Sequence, residues 1–220
     1  MRSASPVSVV AVVGPTAAGK SALSLELAQA LGGEVVNADS MQLYRGMDIG
    51  TAKLRPAERR GVPHHVLDIW EVTEPASVAE YQRHARAAVA DILARGRVPL
   101  VVGGSGLYVR AVLERFEFPG ADPALRAELE EELARLGPEK LHERLRRLDP
   151  AAAEAILPGN GRRIVRALEV ITLTGAPFTA HLPDPTPVYP TVMLAVDRDD
   201  LDQRVADRVD RMWAEGLVAE

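Results

Sequence analysis

Five stretches of the chain are apolar and rich in β-branched residues, and amphipathic stretches separate them. Val7, Val9, Val10, Ala11, Val12 and Val13 make a nearly continuous run. A strand buried on both faces of a parallel sheet has this pattern. Val35-Val36 marks a second strand and Val66-Leu67-Asp68-Ile69 a weaker third. Val98-Pro99-Leu100-Val101-Val102 is a fourth, with Pro99 near its start, where a missing donor is tolerated. Val192 to Val196 is the fifth. Between them, Leu23, Leu27 and Leu31 recur at i, i+4 and i+8 and predict a helix burying that stripe. Ser77-x-x-Glu80 is a capping box that opens a helix to Arg95, with Val78, Tyr81, Ala85 and Ile92 inward and Gly96 just past its end. Strand and helix in alternation predict an α/β protein built on a parallel sheet.

The alternation stops between residues 122 and 181. Asp122-Pro123 predicts an N-cap and first helical position, Gly137-Pro138 a stop, Asp149-Pro150 and Asn160 further starts, and Gly175 with Pro177 an end. No strand pattern occurs there, so the span predicts an all-helical insertion. Pro183, Pro185, Pro187 and Pro190 mark the return linker. The expected division is a core of 1–121 with 188–220, and an insertion with its linker at 122–187.

Composition narrows the class. The chain has 220 residues, 47% of them hydrophobic and 26% charged, enough for a core without cross-links. It has no cysteine, which excludes a disulfide scaffold, thiolate metal ligands and a cysteine nucleophile. The net charge of −5 excludes a dominant basic footprint for nucleic acid. The longest apolar run, Val9 to Val13, is far below a membrane span of ~20 residues, and no secretory signal opens the chain. A cytoplasmic protein is expected.

Gly14-Pro15-Thr16-Ala17-Ala18-Gly19-Lys20-Ser21 matches G-x-x-x-x-G-K-[ST] between a predicted strand and a predicted helix, a P-loop in its required context. The glycines let successive backbone N–H groups turn inward around an anion, and the helix N-terminus adds partial positive charge. Lys20 reaches outer phosphate oxygens, and the Ser21 hydroxyl can hold Mg2+. The bland alternative is a Gly-rich strand-to-helix turn. The motif alone leaves open a kinase, an ATPase, a GTPase or a diphosphate-releasing transferase. No Asn-Lys-x-Asp motif is present to read guanine.

Asn37-Ala38-Asp39-Ser40-Met41-Gln42-Leu43-Tyr44 follows the second strand, so it falls at the carboxyl end of the sheet beside the phosphate loop. Asp39 can accept a proton from a nucleophile, and Gln42 can read a base edge by two hydrogen bonds. A polar turn is the plain alternative. Together with the phosphate loop, Asp39 to Lys53, Pro63-His64-His65-x-Leu67-Asp68, Val102 to Tyr108 and Arg162-Arg163-x-x-Arg166-Ala167-Leu168-Glu169-Val170 resemble the tRNA dimethylallyltransferases, in order and spacing, over essentially the whole chain.

The resemblance implies a P-loop NTPase-like core that moves a dimethylallyl group from dimethylallyl diphosphate to the exocyclic N6 amine of an adenosine beside the anticodon of tRNA. It implies Asp39 as general base, and Ser105 and Arg208 as further catalytic residues. Arg204, one turn before Arg208, is a second candidate. It places Gly14 to Ser21 on the diphosphate, Mg2+ at Ser21, and Asp39, Ser40, Met41, Gln42, Ser105, Arg126, Arg162, Arg163 and Arg166 on the tRNA anticodon stem-loop. A monomer is expected. Ser105 stands where the family commonly has threonine, and Arg162 where it often has glutamine. Members also continue past a Gly-Leu-x-x-Glu segment like Gly216 to Glu220, so the chain is expected to lack a C-terminal part. The alternatives are an ATP-using small-molecule or nucleotide kinase and a nucleotide-dependent RNA-binding switch.

Other residues carry less. His64 and His65 lack zinc-ligand spacing, and His84, His142 and His181 are expected at the surface. Trp70 and Trp213 are expected in the core. Glu128, Glu130, Glu131 and Glu132 are expected on a solvated helix face, with Glu131 and Arg135 as an i, i+4 pair.

Overall fold

The computed structural model describes residues 8–115, 118–178 and 185–220, so Val7, His181 and Pro183 lie outside the described residues. The chain folds as two compact units, Met1–Phe116 with Pro185–Glu220, and Glu117–Asp184.

The first unit holds β1 (Val9–Val13), α1 (Lys20–Leu31), β2 (Gly33–Asn37), a 3-10 turn at Pro56–Arg59, β3 (His64–His65), α2 (Val78–Ala94), β4 (Val98–Gly103) and α3 (Gly106–Leu113). The second holds α4 (Pro123–Leu136), α5 (Pro138–Leu148), α6 (Pro150–Ala155) and α7 (Gly161–Thr174). The chain then returns to the first unit with β5 (Thr191–Ala195) and α8 (Leu201–Glu215). The five strands form one sheet in the order β3-β2-β4-β1-β5, every pairing parallel. The α/β class with a parallel sheet is thus as the alternation predicts. Because the strands all run one way, the loops after β1, β2 and β4 leave from the same edge.

The apolar runs are buried because the inner strands have no open face: Val9, Val12, Val36, Leu100 and Val101 are inaccessible to solvent. α2 covers the sheet with Tyr81, Ala85, Val89 and Ile92, and Ser77 caps it by accepting from the Glu80 N–H at 3.3 Å. Glu34, on β2, is a buried carboxylate held by Arg95, by Arg97 at 3.2 Å and by His65 at 2.7 Å. The hydrogen bond from Arg95 holds its carboxyl near a pKa of about 2 despite burial. This cluster pins the short β3 against β2.

Several expectations are corrected. Val66 to Ile69 is not a strand: Val66 and Asp68 have φ of 61° and 56°, in the left-handed region that breaks a ladder. The Val66 carbonyl instead accepts from the Asn37 side chain at 3.1 Å. On α1 the buried residues are Ser24, Leu25 and Ala28, while Leu23 and Leu27 are half-buried and Leu31 is 47% exposed. The helix is apolar on more than one side, and packing on the sheet selects which side is covered. His142 is buried, with Nε2 2.9 Å from the Ala153 carbonyl and 2.8 Å from that of Ile156. Trp70 is in the core, but Trp213 is 60% exposed on α8. The acidic face of α4 pairs through Glu132 with Arg144 of α5 at 2.6 Å.

Asp122, Asp149 and Asn160 cap α4, α6 and α7 through their side chains. The apolar faces of these helices meet around Leu129, Leu141, Leu145, Ile156, Ile164 and Leu168.

Candidate active site

Three loops at the carboxyl edge of the sheet make one cleft of about 120 Å³, lined among others by Thr16, Lys20, Ser21, Asp39, Gln42 and Arg208. The first is the phosphate loop. Gly14 has φ of 148°, and a Cβ there would meet the Val196 carbonyl oxygen at 2.2 Å, so only glycine fits. Gly19, with φ of 103°, turns the chain into α1. Between them Pro15 and Thr16 are exposed, Ala17 is left-handed at φ of 61° and Ala18 is buried. A left-handed alanine is a strained conformation that the surroundings must hold. Arg204 of α8 does so by donating from Nε to the Ala17 carbonyl at 2.8 Å.

Lys20 and Ser21 open α1. The Lys20 Nζ donates to the Pro15 carbonyl at 2.7 Å, folded over its own loop. Burial lowers the lysine pKa, the Asp39 charge opposes that, and Arg208 adds to it. Ser21 is exposed, with its hydroxyl at the cleft wall.

The second loop carries Asp39. Asn37 shapes the turn: its Oδ1 accepts from the Asp39 N–H at 3.0 Å and its Nδ2 donates to the Asp39 carbonyl at 3.1 Å. The buried Tyr81 hydroxyl donates to the Asn37 carbonyl at 2.8 Å. Asp39 Oδ1 accepts from the Met41 N–H at 3.0 Å. Oδ2 remains for another partner. Met41 is 46% exposed.

The third loop, after β4, approaches both others. A Cβ on Gly103 would lie 2.2 Å from the Ala38 carbonyl oxygen, and one on Gly104 would lie 3.0 Å from the Gly14 carbonyl oxygen. Ser105 Oγ accepts from the Ser40 N–H and donates to the Ser40 hydroxyl, both at 3.3 Å. Ser105 therefore fixes the loop that carries Asp39.

Arg208 reaches the cleft from α8. It donates to the Thr16 hydroxyl at 3.0 Å and to the Thr51 carbonyl at 3.2 Å. Burial lowers its pKa and the Asp39 charge opposes this. Gln42 donates its amide to the Thr51 carbonyl at 3.0 Å, so that donor is turned to the protein rather than to a base edge.

Three residues at or beside this site stand in the sequence motifs without an assigned role. Lys53 is buried, with Nζ bonded to the Tyr44 carbonyl at 2.8 Å and to Asp48 and Asp68 at 2.6 Å each. It ties residues 44–53 to the turn at 68. The signal was a lone lysine in the otherwise uncharged stretch 49–54. His64 lines the cleft, with Nδ1 donating to the Val62 carbonyl at 2.9 Å, which leaves Nε2 as an acceptor. Burial lowers its pKa. Asn37 shows no pattern that marks it in sequence.

A family model described as IPP transferase matches residues 42–220. The chain belongs to the IPP transferase family. It is 79% identical over 214 residues to a tRNA dimethylallyltransferase of Salinispora arenicola (strain CNS-205), covering 96% of this chain and 63% of that relative. It therefore spans just under two thirds of that curated relative's length. A tRNA dimethylallyltransferase of Streptomyces coelicolor is 67% identical, covering 100% of this chain and 72% of that one. Among solved structures, a eukaryotic dimethylallyltransferase acting on tRNA is similar with a TM-score of 0.83 and 32% identity, covering 96% of this chain and 54% of that chain. The full-length tRNA isopentenylpyrophosphate transferase of Bacillus halodurans is similar with a TM-score of 0.63 and 47% identity, covering 96% and 67%.

The remaining candidate arginines lie in the helical unit. Glu169, fully buried on α7, accepts from Arg126 at 2.5 Å, from Arg166 at 2.7 Å and from the Asp122 N–H at 3.2 Å. Burial raises the pKa of Glu169, but these three bonds outweigh it and hold the group ionised. Arg166 also donates to the Pro119 and Gly120 carbonyls at 2.8 and 3.1 Å. Its guanidinium is thus engaged within the unit while 29% of its side chain stays exposed. Arg126 keeps 40% of its side chain exposed. Arg162 and Arg163 are exposed in the first turn of α7.

Proposed function

We propose that this chain moves a dimethylallyl group from dimethylallyl diphosphate to the N6 amine of the adenosine beside the anticodon in tRNA. One observation carries the reading: a carboxylate, Asp39, shares a single cleft with a phosphate loop and with two cations, Lys20 and Arg208. An ATP-using kinase would share the phosphate loop, but the family match and the named relatives favour the transferase.

The chemistry follows from the residues. The backbone N–H groups of residues 14–21 cradle the diphosphate at the start of α1. Lys20 releases the Pro15 carbonyl and takes diphosphate oxygens. Arg208 lies beside Thr16 at the same group. The N6 lone pair forms a bond to C1 of the dimethylallyl group as the C1–O bond breaks, and the electron pair of that bond leaves with diphosphate. The charge that gathers on the leaving oxygens meets two cations and a helix N-terminus already in place. Asp39 takes the N6 proton, which the delocalised amine must lose as the new bond forms. Ser105 and Asn37 hold Asp39 in register for that transfer.

The donor set suits Mg2+, a hard ion content with one hydroxyl, water and substrate phosphate oxygens. Ser21 would hold it, and it would supply further charge neutralisation on the diphosphate. Among the described residues no group of three or more His, Asp or Glu is placed to hold a metal. The ion would therefore depend on substrate oxygens.

For the RNA, the base is drawn from its stack to reach N6. Asp39, Ser40, Met41, Gln42 and Ser105 would meet that base, Gln42 through its amide oxygen. Arg162 and Arg163 sit where the helix dipole disfavours cations and favours a nearby phosphate. With Arg126 and Arg166 they would contact the backbone of the anticodon stem-loop. The proposal includes a monomeric protein, and a cytoplasmic one, since tRNA is its substrate.

The test is mass spectrometry of tRNA after incubation with the chain, Mg2+ and dimethylallyl diphosphate. A dimethylallyl mass gain on the adenosine beside the anticodon is expected. No gain under conditions in which the chain binds diphosphate would overturn the reading.

A further inference from the structure

Glu220 closes the Gly-Leu-x-x-Glu segment, to which the sequence assigns no role, and its side chain makes a concentrated set of contacts. Oε1 accepts from the Asp48 N–H at 2.7 Å and the Ile49 N–H at 2.6 Å, and Oε2 accepts from the Gly50 N–H at 3.0 Å. Three successive amides on one carboxylate make an anion nest, here filled by the protein itself. Gly50 leaves room for this: a Cβ there would be 3.0 Å from the Leu217 side chain. The segment that brings Glu220 turns at Gly216, with φ of 101°, straight from the end of α8.

The captured loop leads to the cleft. The residue after Gly50 is Thr51, whose carbonyl oxygen accepts from both Arg208 Nη2 at 3.2 Å and Gln42 Nε2 at 3.0 Å. One oxygen thus orients the proposed diphosphate arginine and the proposed base-contacting glutamine. Other contacts also hold the loop. Lys53 binds Asp48, the Thr51 hydroxyl donates to the Met47 carbonyl at 2.6 Å, Arg55 pairs with Glu215 at 3.1 Å, and the Ala52 and Lys53 N–H groups donate to the Ile49 and Asp48 carbonyls at 2.9 Å each. Among the described residues only Glu220 engages the amides of residues 48–50, groups that none of those bonds uses. Arg208 and Glu220 also come from the same end of the chain. They grip the same loop, Glu220 at the amides of residues 48–50 and Arg208 at the Thr51 carbonyl.

We infer that Glu220 is a positioning residue for the transfer site: its carboxylate sets the Thr51 carbonyl, which aims Arg208 at the diphosphate. This rests on the reading of the phosphate loop as a diphosphate site. It predicts that Glu220 acts through Arg208 and not on its own. The probe is inorganic pyrophosphate with Mg2+, titrated calorimetrically into the parent and into E220A, R208A and the double variant. Circular dichroism melts confirm that each is folded. E220A is expected to weaken pyrophosphate binding about fivefold, and the double variant to bind no more weakly than R208A alone. E220Q keeps one acceptor oxygen for the Asp48 and Ile49 amides and should recover part of the loss. A purely structural role would lower the melting temperature without that pattern.

Parental affinity in E220A, or losses in E220A and R208A that multiply in the double variant, would overturn the inference. If E220A does not fold, E220Q with R208A completes the same cycle. If the parent itself binds no pyrophosphate, the phosphate-loop reading fails and the inference with it. That outcome is distinct from a parent that binds and an E220A that binds equally well.

Discussion

Arg208 donates to the Thr16 hydroxyl at 3.0 Å across 192 positions of sequence, and this bond joins the last helix to the phosphate loop. The same guanidinium holds the Thr51 carbonyl, so it bridges two loops in a fork geometry. A lysine carries the charge but not the fork. Arg208→Lys is therefore expected to weaken pyrophosphate binding about tenfold, the cost of losing a hydrogen bond to a charged group. Calorimetric affinity within twofold of the parent would remove the bridge from the account of the site.

Asp39→Asn tests proton removal. Asparagine keeps the Oδ1 that accepts from the Met41 N–H, so the loop should hold its shape. It cannot take a proton from N6. Turnover at saturating tRNA and dimethylallyl diphosphate should fall about a hundredfold, within the range for a general base. Pyrophosphate affinity should change little. Turnover above half the parental value would exclude Asp39 as the base.

Gly103→Ala tests how closely the three loops are fitted. The added Cβ would stand 2.2 Å from the Ala38 carbonyl oxygen and 2.3 Å from its carbon, backbone atoms that cannot rotate away. Either β4 or the Asp39 loop must move. A destabilisation of about 2 kcal/mol is expected in urea melts. A loss of transferase activity beyond the unfolded fraction should accompany it. A variant with parental stability and turnover would show that the loops are not in contact as described.

Glu169 gives the helical unit a pH dependence. Its folded pKa lies below the ordinary value of 4.5 because Arg126, Arg166 and the Asp122 N–H outweigh burial. A carboxyl depressed on folding stabilises fully above its unfolded pKa and loses that contribution as the pH falls through the folded value. The parent should therefore lose stability below about pH 4.5. Glu169→Gln should be less stable at pH 7 and show a flatter profile. Glu169→Ala should cost about 2 kcal/mol, a modest figure for an orphaned ion pair because both arginines stay partly solvated. Thermal melts across pH 3–7 decide this, and parallel profiles for parent and Glu169→Gln would refute it.

How much of this was legible in the sequence depended on distance along the chain. The phosphate loop is complete within eight residues, and its chemistry is backbone N–H groups beside a helix start, so the motif carries its own geometry. Helix caps are equally local: Ser77, Asp122, Asp149 and Asn160 each satisfy an N–H two or three residues on. The parallel class followed from apolar strands alternating with helices.

Tertiary structure alone decided the rest, because it depends on which surfaces meet. Val66 to Ile69 has the apolar content of a strand, but the Asn37 side chain and the Lys53 ammonium hold its backbone in a turn, and both come from elsewhere in the chain. Leu23, Leu27 and Leu31 are evenly spaced, yet the sheet covers the neighbouring face of α1. Arg166 reads in sequence as a basic residue on a helix, and only the fold shows that the buried Glu169 and two backbone carbonyls orient it. Glu220 ends a Gly-Leu-x-x-Glu segment that carries no local sign of what it binds. It becomes significant only because the turn at Gly216 sets its carboxylate on three amides 170 to 172 positions away.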